Sequence, residues 1–221
     1  MCVAADFVRD GVFVVDVGTD HAYLPIELAR RGRVRGILAC DIVEGPLENA
    51  RKNVSAVGLD SIIKLRQSDG LSRVGPHEAD DIIIAGMGGD LIARIIAAAE
   101  WVKEGRHNLI LQPVTSADDL RDWLCDNGFQ IAAERAVLDS GRLYTVMLVS
   151  YSGERRQYGP EYRYIGEISG ATADGRDYMM RQAARLRRHA NSLSNAAAVH
   201  PEAEQLMLTA DIIERKARCG E

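Results

Sequence analysis

The stretch VFVVDVGTDHAYLP, Val12 to Pro25, decides the fold. Val12, Phe13, Val14, Val15 and Val17 form a β-branched and aromatic run too short for a core helix, which predicts a buried strand. Gly18 marks a bend, and Thr19 or Asp20 stands where it could cap a helix from Ala22 to Arg30. A strand, a glycine turn and a helix start, at the head of an α/β pattern, build a ligand crevice at the carboxyl end of a parallel sheet.

Outward from this stretch the same design repeats. Gly36 to Asp41 is apolar until it ends in an acid, 25 residues beyond Asp16, close to the spacing at which a carboxylate meets ribose hydroxyls in nucleoside-binding α/β folds. A helix over Gly45 to Val57 starts with a first-turn proline, Pro46. A third strand, Ser61 to Arg66, opens into Gln67-Ser68-Asp69-Gly70. A fourth, Asp80 to Ala85, is followed by Gly86-Met87-Gly88-Gly89 and a helix from Asp90 to about Ala99. Asn108 to Gln112 is a fifth strand, expected to stop at Pro113, with a helix over Ser116 to Cys125 behind it. Phe129 to Leu138 and Arg142 to Tyr151, joined by Asp139-Ser140-Gly141, predict a hairpin. The sum is a seven-stranded, doubly wound α/β sheet over residues 1–152.

Residues 153–221 follow another pattern. Glycines and tyrosines over 153–175 read as a linker with local turns, and a helix is expected from Arg176. Met179, Ala183, Leu186, Ala190, Leu193 and Ala197 step by fours and threes, and Ala203, Leu206, Ala210, Ile213 and Ala217 repeat the seam after His200-Pro201. Two helices pairing antiparallel, a small coiled-coil-like hairpin, are expected there.

Composition narrows the chemistry. The 221 residues are 47% hydrophobic and carry a net charge of -5, as suits a cytoplasmic enzyme. Only about eleven residues precede the first strand, no signal peptide is evident, and no run approaches the roughly 18 apolar residues of a membrane span. Cys2, Cys40, Cys125 and Cys219 make no CxxC, and His77, His107, His189 and His200 have no ligand-spaced companions, so no metal site is expected. Neither GxGxxG nor GxxxxGK occurs, which weighs against a pyrophosphate-bearing cofactor. An adenosine-bearing sulfonium without phosphates suits Asp16, Asp41 and Asp69, all at strand ends on one edge. Each acid, like Asp20 and His21, could instead serve a helix cap. The Gln112 amide could read a base edge or merely end a strand. Two basic groups could meet phosphates: Arg30, Arg31, Arg33 and Arg35, and the run from Arg176 to His189 with Arg181, Arg185, Arg187 and Arg188.

DVGTDHAYLP at 16–25, GPLENARKN at 45–53, QSDGL at 67–71, IAGMGG at 84–89 and LQP at 111–113 resemble the bacterial tRNA adenine-N1 methyltransferase family that modifies adenine 22. The resemblance covers nearly all of residues 12–151, and DxGTDHAYLP with IAGMGG is its specific part. It implies a class I, Rossmann-like methyltransferase domain, S-adenosyl-L-methionine as cofactor, tRNA as partner, and a C-terminal helical domain that helps grip tRNA. By position, it implies cofactor contacts at Asp16, Gly18, Thr19 and His21, at Asp41 by the ribose, at Asp69 and Gly70 by the adenine, and at Ile42, Ala85 and Gly86. Asp16, Met87 and Gly88 become the catalytic candidates, and Tyr23, Gly89, Gln112 and Pro113 the contacts to the target base, with Arg181, Arg185 and Arg188 on the tRNA backbone. The family usually carries a longer N-terminal segment, and often an Asn where Val114 stands. Adenine N1 presents an in-plane lone pair, so positioning and exclusion of water carry the rate without a strong general base. A small-molecule methyltransferase and a non-catalytic RNA-binding protein of the same fold are the alternatives, and a monomer or weak dimer is expected.

Overall fold

The structure, a computed structural model, describes residues 2–194 and 201–220. Seven strands form one sheet in the order β3-β2-β1-β4-β5-β7-β6: β1 (Phe13–Val17), β2 (Gly36–Asp41), β3 (Ile63–Gln67), β4 (Asp81–Gly88), β5 (Asn108–Thr115), β6 (Phe129–Asp139) and β7 (Arg142–Tyr151). The first five pair in parallel, and β7 enters antiparallel between β5 and β6. Helices α1 (Cys2–Phe7), α2 (Tyr23–Arg30) and α3 (Glu44–Ala56) share an apolar core with one face of the sheet, through Val14, Ile37, Ile83 and Ile110. Helices α4 (Gly89–Ala97) and α5 (Ala117–Asp126) share the other, through Val15, Val17, Ile82, Ile84, Leu109 and Leu111. Both faces of the parallel strands are therefore buried, which is why they read as continuous apolar runs.

Several expectations need correction. No side chain caps α2: Asp20 and Ala22 take left-handed backbone conformations instead, so a wound turn rather than a Thr19 or Asp20 cap starts that helix. Pro113 does not stop β5, which runs on to Thr115. It pairs with Met87 at an irregularity in the β4 register, beyond the last β5–β7 pair at Leu111, where a missing N–H costs the sheet little. Helix α1 was not expected. Its Ala4 and Ala5 are buried with Val8, and the Arg9 side chain just beyond it hydrogen-bonds to the fully buried Asp81.

Residues 153–160 are exposed, as a linker would be, whereas the rest of the stretch is packed. It contains a helical turn, α6 (Tyr162–Ile165), and Ile165 and Ile168 are buried with the C-terminal helices. Helices α7 (Ala173–Ser194) and α8 (Pro201–Cys219) lie antiparallel, with the start of α7 beside the end of α8: Ser169 hydrogen-bonds to the Gly220 carbonyl. Met179, Ala183, Leu186 and Ala190 meet Ala203, Leu206, Ala210, Ile213 and Ala217 along the expected seam. Ala197 and His200 lie outside the described residues.

A buried ion pair joins the two parts. Arg121 of α5 and Glu134 of β6 have 1% and 0% exposed side chains, with Nη2 2.7 Å from Oε1. Glu134 also accepts from the Thr145 hydroxyl and the Glu167 amide, while Arg121 donates to the Arg163 carbonyl and the Tyr178 hydroxyl of α7. Every partner is satisfied, as a buried pair requires.

Candidate active site

Strand register collects the candidate residues. Side chains alternate along each strand, so Asp16 continues the face of Val14, Asp41 that of Ile37 and Ala39, Ala85 that of Ile83, and Gln112 that of Ile110. All four therefore stand at the carboxyl edge of the sheet on the α1–α3 side.

Asp16 is 5% exposed, and its pKa is pushed up to about 6, chiefly by burial. The neighbouring Asp41 charge adds to the rise and the Thr19 hydroxyl offsets part of it. That hydroxyl nonetheless makes no hydrogen bond of proper geometry and is buried without a partner. Gly18, with φ 78°, lets both its own amide and that of Thr19 donate to the Cys40 carbonyl, at 2.8 and 2.9 Å. These amides are thus committed to β2 and unavailable to a pyrophosphate. A Cβ on Gly18 would collide with the Met87 methyl group. Asp41 is half-buried and accepts the Asp20 amide at 3.3 Å and the Val43 amide at 2.9 Å, which leaves further carboxylate lone pairs for hydroxyl donors. Tyr23, Ile42 and Val43 are exposed around it, and His21 lies with its ring 5.4 Å from that of Tyr23 and its Nε2 3.5 Å from Asp20. Asp69 is exposed beyond β3, where the buried Ser68 hydroxyl holds the Gly70 carbonyl at 2.9 Å.

At the β4 exit, Gly86 has φ 77° and donates its amide to Gln112 Oε1 at 2.8 Å. Gln112 thereby shapes the loop, and its Nε2 donates to the Pro113 carbonyl at 3.5 Å. Pro113 is buried next to it. Gly89 is buried too, and a Cβ there would strike the Ser116 carbonyl, so this glycine lets α4 approach α5. Beside Ala85 and Gln112 opens a cavity of about 290 Å³, walled by Leu24, Val137 and Val146 with Asp139 and Tyr144 at its polar side. About 150 Å³ holds a benzene ring, so this space admits a purine. Among the described residues, no group of three or more His, Cys, Asp or Glu could hold a metal ion, and no helix is long and apolar enough to cross a membrane.

Not every expected residue converges here. Arg31, Arg33 and Arg35 pair with Asp6, Asp10 and Asp80 by the amino ends of β1 and β2, the edge opposite the crevice, so these three are neutralised and, with the exposed Arg30 beside them, misplaced for a substrate there. Arg187 pairs with Asp211 and Glu214 across the helix hairpin. Arg181 pairs with Asp177 and Arg185 with Asp118, while Arg188 is exposed with no ion-pair partner among the described residues. Asn53 and Gln67 were not singled out in the sequence, yet their side-chain amides hold the His21 and Ile42 carbonyls at 3.0 Å. Asp139 and Tyr144 were missed because only tertiary closure of the β6–β7 hairpin brings them to Ala85.

Comparison with known proteins agrees with this geometry. A family model described as "Methyltransferase domain" matches residues 1–147. The chain is 39% identical over 151 residues to a tRNA (adenine(22)-N(1))-methyltransferase of Bacillus subtilis (strain 168), a match spanning 68% of this chain and 63% of that relative. A Streptococcus pneumoniae candidate tRNA (m1A22) methyltransferase, crystallised with S-adenosyl-L-methionine, superposes with a TM-score of 0.82 at 32% identity, over 96% of each chain. The B. subtilis m1A22 tRNA methyltransferase gives 0.79 at 28% identity, over 98% of this chain and 95% of that one.

Proposed function

The chain belongs to the bacterial tRNA (adenine-22 N1) methyltransferase family, and from that premise we propose that it methylates N1 of adenine 22 in tRNA with S-adenosyl-L-methionine as donor. The observation that carries the reading is the gathering of Asp16, Asp41, Ala85 and Gln112 on one face of the sheet edge, beside a purine-sized, apolar-walled cavity. The residues present fit the cofactor: an orphaned Thr19 hydroxyl, free lone pairs on Asp41, an apolar rim and no phosphate cradle. Bound there, the cofactor supplies an electrophilic methyl group on a sulfonium. Asp41 would accept the ribose hydroxyls, Asp69 and Gly70 would border the adenine, and Ile42 would lie against the cofactor. His21 and Thr19 border the methionine end.

Residues Ala85 to Gly89 and the cavity walls hold the target base and exclude water. Adenine N1 uses its own lone pair, so no side chain has to remove a proton before attack. The Asp16 carboxylate, ionised above about pH 6, offsets positive charge that passes from sulfur to the ring. The basic side chains of α7 approach tRNA phosphates, residues 1–152 and 153–221 act as cofactor and tRNA-contact domains, and the enzyme works in the cytoplasm as a monomer or weak dimer.

Nucleoside analysis of unmodified tRNA, incubated with the protein and methyl-labelled cofactor, tests the reaction. The expected product is 1-methyladenosine at position 22, strongly reduced in Asp41→Ala although that variant stays folded. Label in another base, or in none, overturns the assignment.

A further inference from the structure

A second cavity lies beyond the first. It is enclosed by the β5 exit at Val114, the start of α5 at Asp118, β7 at Tyr144 and Thr145, and Gln182 and Arg185 of α7. Val114 and Tyr144 line both cavities, so one layer of side chain separates this space from the one beside Ala85. Its volume of about 170 Å³ is close to the roughly 150 Å³ that holds a single six-membered ring. Three features define what it accepts. Gln182 Oε1 is buried with no hydrogen-bond partner, a costly state that a donor would relieve. Asp118 adds carboxylate acceptors and ties down Arg185 at 2.9 Å, and Arg121, the other cation of the lining, is held by Glu134, so the acceptors left open favour N–H donors. Tyr144 is half-buried, with no ring contact among the described residues that would occupy its faces. At the outer mouth stand Arg142 and Arg181, both exposed.

We propose that this cavity receives one unpaired nucleobase adjoining the methylated adenine, stacked on Tyr144 and recognised through an exocyclic amino group by Gln182. The proposal rests on methyl transfer at the neighbouring cavity and adds a specificity element to it. An adenine taken out of its stack drags its neighbours with it, and a splayed base is held by aromatic stacking and by hydrogen bonds to its edge. Arg142 and Arg181, at the mouth, meet the backbone on either side of that base while the interior takes the base itself.

The test uses RNA hairpins that carry the target adenine, with each flanking nucleotide in turn made cytidine, pyrimidin-2-one riboside or an abasic residue. Affinity is read by fluorescence anisotropy and methylation by label transfer. At one flanking position the abasic residue should weaken binding about tenfold, the loss of one stacked base. Pyrimidin-2-one riboside, which is cytidine without the amino group, should weaken it about fivefold, the loss of one hydrogen bond. Gln182→Leu should abolish the difference between cytidine and pyrimidin-2-one riboside. Tyr144→Ala should abolish the abasic effect and Tyr144→Phe should preserve it. Unchanged cofactor affinity by calorimetry confirms that each variant is folded. Indifference to both flanking positions, or full discrimination by Gln182→Leu, overturns the proposal. Methylation without flanking preference removes the pocket and leaves the reaction standing, whereas flanking preference without methylation does the reverse.

Discussion

Asp16 holds a charge where the fold alone would prefer none. Its pKa of about 6 in the folded chain, against the ordinary 3.8, is caused first by burial and next by the Asp41 charge, with Thr19 opposing. At 1.36 kcal/mol for each pH unit, that difference penalises the folded state by about 3 kcal/mol once the group is ionised in both states. The sign is destabilising. Between about pH 4 and 6 the native state binds the extra proton, so this group's contribution to stability falls as pH rises through that window and stays low above it. Asp16→Asn removes the charge and keeps the shape. In urea denaturation it should be more stable than the unsubstituted protein by about 3 kcal/mol at pH 8, and by about half of that at pH 5, where the native carboxyl is already mostly protonated. Methyl transfer should fall in the same variant, because the carboxylate faces the site where positive charge moves. Equal stability of the two proteins at pH 8, or a gain that does not shrink at pH 5, would refute the reasoning and reduce Asp16 to an ordinary strand-end acid.

Other outcomes follow from the ion pairs. Glu134→Ala leaves the Arg121 guanidinium buried without its partner and should cost about 3–5 kcal/mol in urea, with protease cleavage over 153–172 reporting release of the helix hairpin. A loss under 1 kcal/mol would mean that the hairpin docks without this pair. Arg188→Ala should lower the slope of tRNA affinity against salt by about 0.7–0.9, whereas Arg187→Ala, which breaks contacts to Asp211 and Glu214, should loosen the helix pair and leave the slope unchanged. A salt slope that responds to Arg187 and ignores Arg188 would reverse which face of α7 meets RNA.

Much of the fold was legible because its signals are local. The apolar run before Gly18 and the acid-ended run at Gly36–Asp41 announce buried parallel strands, and the alanine-rich seam from Met179 and from Ala203 announces a helix pair. Legibility failed where backbone conformation replaced side-chain chemistry. Asp20 and Ala22 wind the turn into α2 in left-handed conformations, although the residue types there suggested an ordinary cap. It failed again at Pro113, whose missing N–H falls where β5 has already parted from β7. The candidate site was half legible. Asp16, Asp41 and Gln112 sit at strand ends that hydrophobic patterning marks, but Asn53, Gln67, Asp139 and Tyr144 act through partners remote in the chain.

VFVVDVGTDHAYLP by itself determined a strand, a glycine turn and a helix start, because alternation, β-branching and a glycine bend are properties of neighbouring residues. The missing phosphate glycines likewise restricted the kind of cofactor. Tertiary structure alone decided which arginines are spent. Arg31, Arg33 and Arg35 pair with acids on the edge away from the site, and Arg121, from an amphipathic helix where a charge ordinarily faces solvent, turns inward to Glu134. The reason is physical: whether a charge is solvated, paired or buried depends on what the folded chain places within a few ångströms of it, and residue order carries no such distance.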